Sequence, residues 1–367
     1  MKKTSSDLRW EWLGAAIPYA SPRPGEDLKA LGQAYMGWFP DARPAVRGDT
    51  YPMTWADDDE IYASSGDPNW GQKGDGLDVE VFSGMPPDYS ICKVNEMMEY
   101  VGSGGAGAKP AGMICVKGAL YLAVQNLLGK KPPAHGEKSQ HGSDATIICS
   151  HDHGKSWSPA RSAIKEPMFP SAAFGGPAFV NCGKDNAGAP DEFVYAVSAD
   201  QWDNGCHLRL GRVLADRIMD REAWEWAAGM RDASSSDMRP IWTSDLGKAA
   251  PVFSLVRRLS LPDMVYITHL RRYLLLTWAL HQDFSPDHGS ELIIYEAPAP
   301  WGPFSLVHHE PVWETQDMNC YCPRIPLKWV KADKQGLAGW LQFSGSWRKN
   351  SPHYRSHIRP FRLMTRE

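Results

Sequence analysis

Two aspartates in the segment GDTYPMTWADDDEIYASSGD, residues 48–67, have the spacing of an acid–base pair. Apolar and aromatic residues on both sides of Asp57–Asp59 predict a β-hairpin that turns at these three short polar residues. Folding the hairpin about its centre places Asp49 opposite Asp67, to within one residue. Opposed like charges destabilise an antiparallel pair, but adjacent carboxyl groups push their pKa values apart, as acid and base catalysis requires. We therefore take Asp49 and Asp67 as candidate catalytic residues; the alternative is that both are solvated residues at strand ends.

The composition describes a chain that can bury a large core. It has 367 residues, of which 43% are hydrophobic, and a formal net charge of −4. This charge gives no indication of a nucleic-acid or anionic-membrane partner. The first residues, MKKTSSDLRWEW, lack the apolar run of a secretory signal, and no later stretch approaches eighteen apolar residues. We expect no nucleic-acid partner, no membrane insertion and, for the chain as written, a cytoplasmic location.

The cysteines indicate reduced thiols and no metal centre. There are seven, an odd number, and they are scattered through strand-like apolar runs, which does not suit a disulfide framework. Cys320 and Cys322 form a C-x-C without a second ligand pair, so a structural zinc site is not predicted. We expect no metal and no cofactor.

A faint internal repeat sets the predicted fold. An aromatic residue recurs at Tyr62, Tyr121, Tyr195, Tyr273 and Trp340, and the first three copies carry Asp67, Asn126 and Asp200 five positions later. A period of about 60 to 80 residues suits one four-stranded sheet per repeat. With 33 glycines and 29 prolines for turns, the sequence predicts a single all-β domain over residues 1–367. The predicted domain is a five-bladed β-propeller with four-stranded antiparallel blades. The first 40 or so residues would close the ring against the C-terminal segment.

Residues 150–157, SHDHGKSW, match the Asp-box pattern S-x-D-x-G-x-x-W. In this hairpin turn the serine and aspartate bond the loop backbone, the glycine has a positive φ and the tryptophan packs beneath. The pattern is structural, so we do not count Asp152, His151 or His153 among the catalytic candidates.

A propeller places the start of each innermost strand at one open face. Counting back about thirteen residues from the repeat aromatic gives Asp49 and, with a shorter turn, Lys109; Arg324 lies near the corresponding place in the fifth repeat. These residues predict a polar pocket, although Lys109 and Arg324 could equally be solvated loop charges. Trp70 and Trp202, next to the repeat aspartates, could stack on a sugar or belong to the core.

Five collinear stretches resemble a known family. They are GDTYPMTWADDDEIYASSGDPNWG, KPAGMICVKGALYLAVQN, LRLGRVLADRIMDREAWEWAAG with IWTSDLGKAAPVF, ELIIYEAPAPWGPFSLV, and YCPRIPLKW with LQFSGSW, over roughly residues 45–350. Together they resemble the domain of unknown function 4185, whose members include the endo-D-arabinanases of glycoside hydrolase family 183.

The resemblance implies a five-bladed propeller that hydrolyses a D-arabinan-like furanoside polysaccharide with two carboxylic residues. The family's acids lie in G-D-x-x-P-x-x-W and the following G-D, which here are Asp49 and Asp67. The chain departs from the family in lacking an export signal. It also reads YITHL, with His269, where the family often has S-x-T-Y-N. We expect an oligosaccharide or polysaccharide partner, with Asn126, Asp200, His269 and Tyr321 among its contacts.

Three functions remain open from the sequence. The leading hypothesis is a glycosidase, in which one carboxyl group protonates the leaving oxygen and the other acts as base or nucleophile. A polysaccharide lyase would use neutral His and Tyr with Arg or Lys against a uronate, and the set available for it is His207, His269, Tyr321, Lys109 and Arg324. A non-catalytic glycan-binding propeller is the third, although opposed carboxylates would bring it no advantage.

Overall fold

The computed structural model of the chain describes residues 6–19, 43–44, 48–67, 77–100, 107–127, 142, 144–231, 238–281, 289–315, 318–345 and 353–365. Within these residues the protein is all-β. The helical elements described are three-residue 3-10 turns at Arg161–Ala163, Ala172–Phe174, Lys184–Asn186, Arg221–Ala223, Leu246–Lys248 and Leu327–Trp329. Short strands joined by such turns agree with the high glycine, proline and aromatic content.

The strands in chain order are β1 (Leu8–Trp12), β2 (Ile17–Pro18), β3 (Arg43–Pro44), β4 (Met53–Trp55), β5 (Ile61–Ser65), β6 (Leu77–Met85), β7 (Asp88–Met97), β8 (Lys109–Val116), β9 (Ala119–Gln125), β10 (Ala145–Ser150), β11 (Ala178–Asn181), β12 (Phe193–Ala199), β13 (Gly205–Leu214), β14 (Glu225–Arg231), β15 (Arg239–Thr243), β16 (Phe253–Leu259), β17 (Asp263–Ile267), β18 (Arg272–Leu280), β19 (Ser290–Ala297), β20 (Ser305–Glu310), β21 (Glu314–Thr315), β22 (Met318–Arg324), β23 (Lys331–Asp333), β24 (Gly336–Gly345) and β25 (Ser356–Thr365).

These strands form antiparallel meanders that follow the chain. The first sheet has the order β3-β7-β6-β5-β4, and the second has β10-β9-β8. Next comes the order β15-β14-β13-β12-β11-β17-β18-β19-β20, with β16 beside β13. Here two meanders are joined by a short parallel pairing of β11 with β17. The last sheet has the order β1-β25-β24-β22-β21, with β2 on β25 and β23 on β24.

The five repeat aromatics all lie on the second strand of a meander: β5, β9, β12, β18 and β24. The strands that precede them, β4, β8, β11, β17 and β22, contact one another in chain order. Strands β5 and β8 are buried along their whole length, whereas strands further out, such as β16, are partly exposed. Four of the meanders therefore run from a buried first strand to a more exposed last one, whereas in the second sheet the last strand, β10, is also buried.

The apolar core lies between neighbouring sheets. One cluster, with Val79, Val81 and Leu122, fills the space between the first and second sheets, and another, with Phe82 and Trp329, joins the first sheet to the last. Burying each large apolar side chain contributes about 1.5–3 kcal/mol. Sheet-against-sheet packing of this kind holds the first strands at fixed positions relative to one another.

The two ends of the chain meet in the last sheet. Strand β1 pairs with β25 in antiparallel register, from Leu8 opposite Thr365 to Trp12 opposite Phe361. The N-terminal strand therefore covers the edge that the C-terminal strand would otherwise expose, an edge that favours aggregation. Among the described residues no helix has the length and apolar character needed to cross a membrane.

The loop after β10 is closed by its own side chains. Ser150 Oγ accepts a hydrogen bond from Gly154 N at 2.8 Å, and Asp152 Oδ1 accepts one from Ser156 N at 2.9 Å. Gly154 has φ 86°, a conformation that glycine adopts without steric cost. The Trp157 indole donates to the Gly154 carbonyl at 3.0 Å. Asn95 of β7 also donates to the Gly154 carbonyl at 3.2 Å and to the Lys155 carbonyl at 2.9 Å, so the first sheet helps to hold this loop.

Candidate active site

The hairpin of β4 and β5 has two ends that differ in chemistry. We call the end at Asp49 and Asp67 the upper end, and the end at Asp57–Asp59 the lower end. At the upper end Asp49 and Gly66 form an isolated antiparallel bridge, with Asp49 N donating to Gly66 O at 3.2 Å and Gly66 N donating to Asp49 O at 3.0 Å. Asp49 thus lies one residue out of register with Asp67, within the range expected from the sequence.

A tight turn follows Asp49. Tyr51 N donates to the Asp49 carbonyl at 2.9 Å, which closes a three-residue γ-turn around Thr50. Thr50 has φ 68° and Tyr51 has φ 42°, and both are buried. Non-glycine residues in this region of φ cost of order 1–3 kcal/mol each, and they persist where the surrounding structure holds them. Asp67 is also left-handed, at φ 42°.

Asp67 is paired with a buried cation. The Nζ of Lys109, the first residue of β8, forms an ion pair with Asp67 Oδ2. The Lys109 side chain is only 2% exposed. Breaking a buried pair of this kind leaves an uncompensated charge, which strongly destabilises a protein. The negative charge of Asp67 is therefore matched by a fixed positive charge from the second sheet.

Asp49 is in a different environment. The pKa of Asp49 is raised to about 7, first by burial and then by the nearby Asp67 charge, against the lowering effects of Lys109 and of hydrogen bonds from Tyr321 and Tyr354. Asp49 Oδ1 is buried, and no donor among the described residues bonds to it. A carboxyl group with a pKa near neutrality can hold a proton and release it at the pH of most enzymes.

Two tyrosines from the last sheet complete the upper end. The Tyr321 hydroxyl donates to Asp49 Oδ2 at 3.0 Å, and the Tyr354 hydroxyl donates to the Asp67 carbonyl at 3.0 Å. Both rings are buried. Tyr321 was a sequence candidate, but Tyr354 was not. It lies outside every repeat and contacts a residue 287 positions away, so no local pattern could have identified it.

Arg324 lies deeper than the sequence suggested. It is the last residue of β22 and only 1% exposed, so it is not a solvated loop charge. Its guanidinium donates to the Thr50 carbonyl at 3.2 Å and to the Pro262 carbonyl at 3.2 Å, and it lies 3.3 Å from Asp263 Oδ1. Burial raises the pKa of Asp263, which the Arg324 charge opposes. Both sequence-predicted cations, Lys109 and Arg324, are thus engaged with carboxylates.

A small cavity adjoins Lys109 at the upper end. Gln125 lies opposite Lys109 in the β8–β9 ladder, and it lines this cavity together with Gln201, Trp202 and Pro262. The Gln125 side chain is 1% exposed, and within the part of the chain that the structure describes its Nε2 has no hydrogen-bond partner. The space admits about one water molecule. Trp202 is 7% exposed and belongs to a core cluster, so only a small part of its ring is accessible.

The repeat polar residues after the second strands have structural roles at two positions. Asn126 is left-handed, at φ 52°, and its N–H donates to the Asp144 carbonyl. Asp200 Oδ1 accepts hydrogen bonds from Cys206 N at 2.8 Å and His207 N at 3.1 Å. Short polar side chains tolerate and stabilise such turns. Of the three repeat positions, the one at Asp67 meets a second carboxyl group.

Two further candidates lie elsewhere. His269 is exposed in the turn between β17 and β18, at the opposite end of β17 from Asp263, and therefore at the lower end. Trp70 lies outside the described residues. Of the additional lyase candidates, His207 is exposed and its Nδ1 contacts Ser254 Oγ at 3.0 Å.

A group that could hold a metal ion lies at the lower end. Within the described residues, ligand atoms of Asp57, Asp58 and His153 lie within 4.8 Å of one another. His153 Nε2 is 2.9 Å from Asp57 Oδ1, and the Tyr62 hydroxyl donates to Asp58 Oδ2 at 2.8 Å. These contacts account for the cluster as a hydrogen-bonded turn.

The seven cysteines are all free thiols.

Comparison with solved structures places this fold among known ones. The chain is similar to an alpha-L-arabinofuranosidase from Podospora anserina, solved with cellotriose, at 13% identity and a TM-score of 0.50, covering 97% of this chain and 98% of that chain. It is also similar to a Bacteroides ovatus protein assigned as a hydrolase, at 12% identity and a TM-score of 0.51, covering 97% and 94%. No protein-family model matches the chain, and no curated protein matches its sequence. The protein is all-β and shares its fold with β-propeller glycoside hydrolases.

Proposed function

We propose that this protein is a glycoside hydrolase that cleaves a neutral furanoside polysaccharide of the D-arabinan type. One observation carries the proposal: the buried Asp49, with its pKa raised to about 7, lies beside Asp67, which is paired with Lys109. Asp49 would hold the proton that the leaving glycosidic oxygen receives. Asp67 would carry the negative charge that acts on water or on the sugar carbon.

The charges at the upper end support a neutral substrate. A uronate would need a cation that is not already neutralised, but Lys109 pairs with Asp67, and Arg324 contacts Asp263. Displacing either carboxylate would leave a buried charge unpaired. His269 and His207 are both exposed, and neither is among the groups that act on the buried Asp49, so the arrangement favours hydrolysis over elimination.

The fold likeness and the family resemblance agree with this proposal. We assign each meander, with its buried first strand and its repeat aromatic on the second, as one blade of a five-bladed propeller. Strands β1, β25, β24 and β22 would form the last blade. The second blade would keep three strands, with residues 158 and 169 bridging to β10 in place of a fourth. The loop Ser150–Trp157 would be its Asp-box. The chain would belong with the domain of unknown function 4185.

The test is a product assay with matched substrates. The purified protein is incubated with D-arabinan and, separately, with a polyuronate. Release of reducing ends from D-arabinan is measured together with absorbance of unsaturated products in the near ultraviolet. We expect reducing ends from D-arabinan alone. Unsaturated products from the polyuronate would show a lyase, and binding of D-arabinan without turnover would show a glycan-binding protein.

A further inference from the structure

The backbone beside Asp49 is held in a strained turn. Thr50, at φ 68°, and Tyr51, at φ 42°, are non-glycine residues in the left-handed region, and neither is exposed to solvent. Such conformations persist only where neighbouring groups determine them. The direction in which the Asp49 side chain points depends on this turn, because the turn begins at the Asp49 carbonyl.

The groups that hold the turn come from the last sheet. Thr50 N donates to Ser344 Oγ at 3.0 Å, and Thr50 O accepts from Arg324 Nε at 3.2 Å. Both backbone polar groups of Thr50 are therefore bonded by β22 and β24. The first sheet supplies Asp49 and Thr50 but neither of these bonds.

Arg324 is itself fixed at its far end. Its Nη1 donates to the Pro262 carbonyl and contacts the Asp263 carboxylate, so the guanidinium joins three meanders through one buried side chain. A planar guanidinium makes these bonds in fixed directions, whereas a lysine ammonium is a compact point charge on a flexible stem. Replacement by lysine would keep the charge and lose the geometry.

We propose that Arg324 is a positioning residue which, with Ser344, holds the Thr50 turn and so fixes the Asp49 carboxyl beside Asp67. This assignment replaces the direct substrate contact predicted from the sequence, and its kinetic consequences rest on the proposed function. Arg324 acts through the backbone of Thr50. The titratable groups around Asp49 are Asp67, Lys109, Tyr321 and Tyr354, together with the buried Tyr51 and Cys322, on which the Asp49 charge also acts.

The kinetic test compares Arg324→Lys and Ser344→Ala with Ser260→Ala as control. Ser260 is also fully buried, and its Oγ likewise accepts a backbone N–H, from Asn204 at 2.8 Å. We expect Arg324→Lys to lower kcat roughly tenfold or more with KM changed less than about twofold, since small misplacements of a catalytic group are costly. Ser344→Ala should lower kcat by about threefold to tenfold, and Ser260→Ala should leave it unchanged. A raised KM with unchanged kcat in Arg324→Lys would show direct substrate contact and overturn the proposal.

A second measurement does not depend on turnover. Titration of the Asp49 carboxyl by carbon NMR reports its pKa, about 7 in the native protein. Because burial is the main cause of that value, a loosened turn should lower the pKa in Arg324→Lys and Ser344→Ala by about one unit. If Arg324→Lys does not fold, Ser344→Ala decides alone, and an unchanged Asp49 pKa in it rules the proposal out. If the native protein cleaves no glycan, the proposed function fails while this titration still tests the turn.

Discussion

The two ends of the β4–β5 hairpin both carry aspartates, but these differ in burial and in the direction of their pKa shifts. At the upper end Asp49 is 9% exposed and its pKa is raised, first by burial and then by Asp67. At the lower end the side chains of Asp57 and Asp59 are 41% and 60% exposed.

At the lower end, hydrogen bonds and cations determine the pKa values of the aspartates. Slight burial acts to raise the pKa of Asp57, but the hydrogen bond and charge of His153 outweigh it and lower that pKa. For Asp59 the largest single effect is also burial, which raises the pKa, but the Trp55 indole and the cations Lys328 and Lys184 together outweigh it and lower that pKa. The contrast shows that the surroundings of an aspartate, and not its residue type, determine its pKa. The exposed aspartates stabilise a turn, whereas the buried Asp49 has a pKa near neutrality.

The largest expected difference between the two ends is in catalytic rate. Asp49→Asn and Asp67→Asn should each lower kcat by roughly two orders of magnitude or more, the usual scale for a general acid or base. Asp57→Asn and Asp59→Asn should change kcat less than about twofold, because they alter only the turn. Initial rates on D-arabinan for the four folded variants decide the matter. Near-native activity in both upper-end variants would sink the proposed mechanism.

Removing an ion pair should cost more stability at the upper end than at the lower end. Lys109→Met leaves the partly buried Asp67 unpaired and should lower the free energy of unfolding by roughly 3 kcal/mol or more. Lys184→Met removes one of the two cations beside Asp59, at 3.5 Å, where both side chains are exposed, and should cost about 0–1 kcal/mol. Urea denaturation measures both values. The double variant Lys109→Met/Asp67→Asn should recover part of the loss, and no recovery would contradict the pairing described here.

Two tyrosines give a matched hydrogen-bond comparison. Tyr321 donates to Asp49 at the upper end, and Tyr62 donates to Asp58 at the lower end. Tyr321→Phe should lower kcat about tenfold, since a hydrogen bond to a charged group contributes about 1.5 kcal/mol. Because that bond lowers the pKa of Asp49, its loss should also move the basic limb of the pH–rate profile upward. Tyr62→Phe should leave both rate and profile unchanged; equal effects in the two variants would show that neither hydroxyl acts through the aspartate pair.

The smallest effect is in the pH dependence of stability. The folded-state pKa of Asp49, about 7, lies above its ordinary value of 3.8, so between these pH values the folded protein holds a proton that the unfolded chain has lost. Stability contributed by the protonated carboxyl is therefore lost as pH rises through this window. Asp49→Asn should gain a few degrees in Tm over the native protein as pH rises from 4 to 7, with no further gain above. A Tm difference that is constant with pH would contradict the raised pKa.

Much of the architecture could be predicted from local pattern. The hairpin about residues 57–59 and the all-β class follow from side-chain alternation and turn residues, which are properties of a few neighbouring residues. The aromatic residue on the second strand of each meander follows from the repeat period. The loop Ser150–Trp157 is likewise closed by residues within eight positions. The repeat Asp and Asn, in contrast, have one spacing in sequence and different roles at Asp67, Asn126 and Asp200.

The sequence by itself determined that two aspartates end the same hairpin, because antiparallel register is set by the turn and the strand period. Only the tertiary structure decided their states. Lys109, Tyr321 and Tyr354 reach them from other sheets, across as many as 287 positions of chain. Burial raises the pKa of Asp49, and Lys109 of the second sheet and Tyr321 of the last sheet act against that effect. Burial and charge depend on distance in space, which no local run of residues specifies. The sequence could therefore place the two aspartates together but could not show which of them has the raised pKa.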